Sequence, residues 1–156
     1  DKLLSEISKE KDKNRKANLK RKVFNIRFKI RNLVDELHWK TIKFFTSIFK
    51  VIIFPPFNVS EMVKKSNRKL PKKVVRAMTC FRFYEFKERL KLKCKENGVT
   101  FVESSEAFTS RTNSFTGELI ENLGSKESFK FNNVSVDRDI NGARNILIRA
   151  MRDASA

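Results

Sequence analysis

Between Lys13 and Phe49 the chain holds neither Gly nor Pro, and apolar residues recur at Val23, Ile26, Ile30, Leu33 and Leu37, then at Ile42, Phe45 and Phe49. The first five stand three and four positions apart, which is a helical stripe. The opposite face carries Arg21, Lys22, Arg27, Lys29 and Arg31. The pattern predicts one long amphipathic helix, frayed before Lys13. His38 and Trp39 lie on it, and a lone His in such a helix is expected to be packed or exposed, not catalytic.

Past that helix the period shortens. Lys50-Val51-Ile52-Ile53-Phe54 is an apolar, β-branched run stopped by Pro55-Pro56, and it reads as a buried strand. Residues 62–76 form a basic loop leading into a second helix. That helix is expected from about Lys72 to Glu96, closed by Asn97-Gly98. Its stripe of Val75, Thr79, Phe83, Phe86, Leu90 and Cys94 puts Cys94 in the core, and Cys80 also reads as structural. Val99-Thr100-Phe101-Val102 is a second strand, predicted to pair in parallel with the first. Residues 107–136 turn to Thr, Ser, Asn and scattered aromatics, with Gly117 and Gly124 as turn points, which predicts a small β-rich insert. From Asp139 to Met151 helical spacing returns, with Ala143, Ile146, Leu147 and Ala150 on one face.

Composition narrows the class. A chain of 156 residues fits one domain, or one domain with a small insert. Its 40% hydrophobic content, with fifteen Phe, excludes a wholly disordered tail. The longest apolar stretch, near Val51 to Pro56, is far too short to span a bilayer, and a membrane partner is not expected. The charged opening Asp1-Lys2-Leu3-Leu4 predicts no signal peptide, and the missing initiator Met points to a piece of a longer chain or a processed form. Two cysteines exclude a disulfide framework and a four-cysteine zinc site. The expected setting is reducing and intracellular, not secreted.

Charge is unevenly spread. The formal net charge is +17; residues 1–50 and 51–100 hold +9 each, and residues 101–156 hold −1. A dense basic region beside a near-neutral one predicts a polyanion-binding face, with RNA or DNA as partner and a nuclear or nucleoid location. The densest patch is Lys64, Lys65, Arg68, Lys69, Lys72, Lys73 and Arg76, with Arg111 as a further nucleic-acid contact.

The segment Asp137-Arg138-Asp139-Ile140-Asn141-Gly142-Ala143-Arg144-Asn145-Ile146 carries the most chemistry. A carboxylate at the mouth of a helix either caps it or aims an oxygen at a hard cation such as Mg²⁺. This segment resembles the last RuvC motif of the TnpB and Fanzor transposon-encoded RNA-guided nucleases. Glu106-Ala107-Phe108-Thr109-Ser110-Arg111-Thr112 looks like the family's Glu-Ala-Tyr-Thr-Ser-Lys-Thr. Phe54-Pro55-Pro56-Phe57-Asn58-Val59-Ser60-Glu61-Met62 resembles the strand end of the central RuvC motif, and Pro55 there makes Fanzor the closer match. Asn32 to Thr41 resembles the helix before that strand. The likeness runs from about Lys20 to Ile148, and its ordered set of motifs is specific.

The resemblance implies an α/β, partial RNase H-like (RuvC) fold: a long helix and a parallel strand–helix–strand unit, residues 1–106 and 137–156. Residues 107–136 would form the β-rich insert, a degenerate zinc ribbon. It implies a Mg²⁺ site of three carboxylates in which Asp139 matches the third acid, Glu106 a relocated glutamate, and Asp137 is a neighbour with the lesser claim. No residue matches the first acid, and the first strands of the fold have no counterpart. The family's first cysteine pair is replaced by Asn113 and Thr116, and residues 129–134 replace the second, so no zinc is expected. The insert would then rest on Phe115, Leu119, Leu123, Phe129 and Phe131. Three readings follow: a nucleic-acid-binding C-terminal portion that is inactive by itself, an active Mg²⁺-dependent nuclease once an upstream segment supplies the missing acid, or a basic structural protein of a ribonucleoprotein.

Overall fold

Two helices open the chain, α1 (Lys2–Lys9) and α2 (Lys13–Ile48), followed by strand β1 (Val51–Phe54) and the short helix α3 (Val59–Val63). Helices α4 (Lys72–Phe81) and α5 (Phe83–Glu96) lead to strand β2 (Thr100–Glu103). The hairpin β3 (Ser128–Phe131) and β4 (Val134–Asp137) runs directly into α6 (Arg138–Ala154). The computed structural model describes residues 2–56, 58–66, 70–120, 123–124 and 126–155. Two compact units emerge, residues 1–44 with 59–89, and residues 45–58 with 90–156. Among the described residues no helix is long and apolar enough to cross a membrane.

In the first unit α2 starts where its sequence provides a cap, with the Asp12 carboxylate accepting the Arg15 amide at 2.6 Å. The expected helix from Lys13 to Phe49 is present almost to the residue. Its inner face is not the expected one. The buried residues are Val34, His38 and Ile42, every fourth position, whereas Ile26, Ile30, Leu33 and Leu37 are exposed. Polar bonds select that face: Asp35 is held by Arg82 and Arg89 at 2.6 Å each, and His38 lies in the same network. An apolar stripe gains by burial only where a partner surface covers it, and the described residues of this unit leave each of those four more than a third exposed.

The second helix is two helices. Arg82 adopts φ 49° and ψ 51°, the left-handed conformation, and separates α4 from α5. Such a conformation is uncommon for a residue with a Cβ, and here its guanidinium bonds to Asp35 and Glu85 while also reaching the Arg31 carbonyl at 3.4 Å. The break separates the expected stripe. Leu90 and Cys94 are buried, but Thr79 is exposed and bonds to its own helix at the Val75 carbonyl. Cys80, expected to be structural, is also exposed.

In the second unit β1 and β2 pair in parallel, Val51 opposite Thr100 through Phe54 opposite Glu103, as the sequence predicts. The Phe54 and Phe101 rings stack across the pair at 6.1 Å. Helix α5 ends at Gly98 (φ +65°), where the Val99 amide reaches back to the Cys94 carbonyl at 2.9 Å. That six-to-one bond is a Schellman closure, and Gly adopts the required positive φ without strain. The hairpin β3–β4 turns through Asn132 and Asn133 at φ 47° and 63°, the pair of positive φ values that a two-residue type I′ turn needs. Helix α6 lies against β1 and β4. Its buried residues are Asn141, Gly142 and Ala150, so the expected apolar face is wrong at two positions: Ala143 and Leu147 are exposed.

Candidate functional site

The acidic motif residues all lie in the second unit. Asp137 ends β4 and caps α6, its Oδ1 accepting the amides of Asp139 at 2.8 Å and Ile140 at 3.0 Å. That carboxylate is committed to the helix N-terminus, the ordinary work of an N-cap. Asp139 sits in the first turn of α6, exposed, and its side chain makes no hydrogen bond among the described residues.

Glu106 opens a tight turn after β2. Its carbonyl accepts both the Thr109 amide at 3.2 Å and the Thr109 hydroxyl at 2.8 Å, so Thr109 is buried while the Glu106 side chain stays exposed. Phe108, inside this turn, has φ +64° and is 73% exposed. A bulky residue in that region marks a locally constrained backbone.

What holds this turn is a row of polar side chains on α6. Asn141, fully buried, accepts the Ser114 amide at 2.9 Å and donates to the Thr112 carbonyl at 2.8 Å. Asn145 donates to the carbonyls of Thr109 at 2.8 Å and Thr112 at 2.5 Å. Arg149 donates to the Ala107 carbonyl at 3.2 Å. Residues 141, 145 and 149 are four apart, so they share one helix face and pin the segment after Glu106 along α6. Gly142, between them, faces Ser110: a Cβ there would stand 3.9 Å from the Ser110 Cα, an ordinary contact. The sequence reading missed this clamp. Its signal was available: two Asn and an Arg at spacing four, where an amphipathic helix facing a core places apolar residues.

Whether these acids fit a divalent cation can be tested on the donor set. Among the described residues no three of His, Cys, Asp and Glu stand together as ligands for one ion. Asp137 is spent on its cap, which leaves Glu106 and Asp139 as partial donors. A pair of ions needs more carboxylates than these, and the donor set does not fit a two-metal centre.

The basic residues divide between the units. In the first, Lys72 and Lys73 open α4, Arg76 follows one turn later, and all three are exposed. Lys65 is exposed, and Lys64 pairs with Glu61 of α3. Arg68 and Lys69 lie outside the described residues. Arg111 is exposed in the second unit.

His38 is packed, in line with the sequence reading. Its Nε2 is 2.9 Å from the Phe81 carbonyl, to which it donates, leaving Nδ1 to accept from Arg89 at 3.1 Å. The Phe86 ring meets it edge-on at 5.1 Å. Burial, opposed by the Phe81 bond, pushes its pKa below the usual 6.5. Asp35 is held below the ordinary carboxylate value chiefly by its hydrogen bond to Arg89, with Arg82 adding to it against desolvation.

Comparison with known proteins supports the resemblance to a TnpB-type family. The family model described as Cas12f1-like, TNB domain matches residues 83–146. A putative transposase, A625R, of Paramecium bursaria Chlorella virus 1 is 35% identical over 116 residues, 74% of this chain and 26% of that protein. The TnpB-like protein L79 of Acanthamoeba polyphaga mimivirus is 28% identical over 135 residues, 85% of this chain and 26% of the relative. The chain thus spans about a quarter of the length of these relatives. Among solved structures, that of a Cas12f1–sgRNA–target DNA complex matches with a TM-score of 0.54 at 19% identity, covering 93% of this chain and 39% of that one; it is a likeness of fold.

Proposed function

We propose, for a chain that belongs to the TnpB-type family of transposon-encoded proteins, that it is a nucleic-acid-binding C-terminal portion of an RNA-guided nuclease and does not cleave by itself. The observation that carries this is the α6 clamp. Within the Asp137–Ile146 motif Asn141 and Asn145 hold the segment after Glu106, while Glu106 and Asp139 are left exposed without side-chain partners among the described residues. Two exposed carboxylates on segments tied together by that clamp are what one part of a RuvC-like site would contribute. On the alternative reading an upstream segment brings the first acid and the missing strands, and the completed site would hold Mg²⁺. The region 107–136 is read as a degenerate, zinc-free ribbon, and the protein as acting where nucleic acid is found, in a nucleus or nucleoid.

Binding is attributed to charge. The exposed cations Lys65, Lys72 and Lys73 neutralise phosphates, so log affinity for an RNA or DNA duplex falls linearly with log salt. The fold neighbour was solved with both RNA and DNA, which supports these as partners. Titration by fluorescence anisotropy from low to physiological salt tests the reading, with Lys72→Glu/Lys73→Glu expected to flatten the slope. Salt-independent binding, or Mg²⁺-dependent cleavage by the purified chain that vanishes in Glu106→Ala and in Asp139→Ala, overturns it.

A further inference from the structure

The exposed stripe of α2 is regular beyond ordinary amphipathicity. Leu19, Val23, Ile26, Ile30, Leu33 and Leu37 alternate steps of four and three. These are the a and d positions of a heptad repeat sustained over roughly 27 Å of helix. Val23 and Leu19 are half-buried, and the other four are exposed, Leu33 at 65%. A seam of this spacing is built to receive the knobs of another helix.

The residues beside the seam say what kind of helix. The e and g positions from Lys20 to Lys29 are Lys20, Lys22, Arg27 and Lys29, four cations with no ion pair among the described residues. Arg27 and Lys29, assigned by simple periodicity to the opposite face, flank the seam in heptad register. The one acid beside it, Glu36, is already paired with Lys40 at 2.6 Å. Two copies of α2 in parallel would set Lys22 against Arg27, and like charges at these positions select against pairing. A helix with carboxylates at its own e and g positions meets both demands, apolar seam to apolar seam and acid to base.

The seam also opens onto a cavity of about 450 Å³ beside Ile30, walled by Val34, Ala77, Cys80 and Phe81 with Lys73 at the rim. It gives large apolar side chains of an incoming helix somewhere to go. A phosphate backbone has no use for such a floor.

We propose that residues 19–37 of α2 are the docking face for an acidic, heptad-patterned helix of a partner polypeptide. The probe is a synthetic three-heptad helix with Leu at a and d and Glu at e and g; its counterpart carries Lys at e and g. The full chain is expected to bind the Glu peptide at least about tenfold more tightly than the Lys peptide. Leu33→Lys should remove that binding, and Arg27→Glu/Lys29→Glu should reverse the preference. Both variants alter exposed positions, and circular dichroism verifies that they fold. Alkylation of Cys80, exposed while Cys94 is buried, should slow with the Glu peptide alone. Equal affinity for the two peptides, or Glu-peptide binding that survives Leu33→Lys, overturns the proposal. So does self-association of the free chain, or capture of anionic vesicles, that Leu33→Lys abolishes. Duplex binding, which needs cations but not the seam, persists in Leu33→Lys and separates this face from the nucleic-acid reading.

Discussion

Asn141, in the first turns of α6, accepts a hydrogen bond from the backbone amide of Ser114 at 2.9 Å, twenty-seven residues earlier in the chain. The same side chain donates to the Thr112 carbonyl, so one fully buried amide satisfies two backbone groups of the segment that follows Glu106. A turn that packs few apolar side chains is thereby given a fixed path across a helix.

Replacing Asn141 by Ala should therefore destabilise the second unit by about 1–3 kcal/mol, because the half-buried Ser114 amide loses its partner and the Thr112 carbonyl keeps only Asn145. Leu would fill the volume and still leave the Ser114 amide unsatisfied, so it should rescue little. Urea denaturation measures the loss. Limited proteolysis between Ala107 and Ser114 should accelerate in both variants, and unchanged stability with unchanged cleavage would contradict the clamp.

Acidification should weaken the first unit. His38 has a folded pKa below 6.5 because burial opposes its charged form. The unfolded chain then binds the proton more readily, so the neutral-His contribution is complete above about pH 6.5 and is lost as pH falls below it. Asp35, lowered from 3.8 mainly by its bond to Arg89, acts in the same direction at lower pH: its contribution is present above 3.8 and lost as pH falls through the folded value. Thermal midpoints measured from pH 7.5 to 5 should decline. His38→Gln keeps a neutral polar group and should flatten that decline while lowering the midpoint at pH 7.5.

Much of this architecture was legible because it follows from local chemistry. The Gly- and Pro-free run became α2, Pro55 ended β1, and Asn97-Gly98 closed α5. What was not legible depended on partners distant in sequence. The break at Arg82 is set by Asp35, forty-seven residues away, which no period within residues 72–96 encodes. The inner face of α2 went to Val34, His38 and Ile42 for the same reason, while the stronger apolar stripe stayed outside. At the acidic motif, sequence singled out Glu106, Asp137 and Asp139 as residue types. The spacing of Asn141, Asn145 and Arg149 was visible as well, but not which distant backbone groups they would bind.

Arg82 allows backbone and side-chain effects to be separated. It holds a left-handed conformation that costs a residue with a Cβ about 1–2 kcal/mol, and its guanidinium bonds to Asp35 and Glu85. Both Arg82→Ala and Arg82→Gly lose those bonds and should be less stable than the parent chain. Only Gly relieves the backbone, so Arg82→Gly should exceed Arg82→Ala by about 1 kcal/mol. Chemical denaturation of the three proteins gives the order, and Ala equal to or above Gly would mean the break at Arg82 is not retained in solution.

The turn at Asn113 to Glu118 should hold without metal. Asn113 and Thr116 stand where the resembling family carries a cysteine pair, and their oxygens accept from the backbone instead. Asn113 Oδ1 takes the Phe115 amide at 3.0 Å, and Thr116 Oγ1 takes the Glu118 amide at 3.3 Å. The Gly117 amide closes the turn on the Asn113 carbonyl at 2.8 Å, at φ +78°, where Gly is unstrained. Phe115 stacks on Phe131 at 5.0 Å, with the Arg144 guanidinium 4.2 Å over its ring. Leu123 is buried nearby in sequence, while Leu119, expected to join it, is 68% exposed. Zinc needs thiolate or imidazole donors, and none is present between residues 107 and 136. Chelator should therefore leave the thermal midpoint unchanged, and elemental analysis should find no stoichiometric zinc. Asn113→Ala should cost about 0.5–1.5 kcal/mol for its lost hydrogen bond, and Phe115→Ala more, since it removes the stack and the cation contact together. Installing Asn113→Cys/Thr116→Cys supplies only two of four ligands, so added zinc should not raise the midpoint of that variant. A parent chain that loses stability in chelator would show that the turn is held by metal after all.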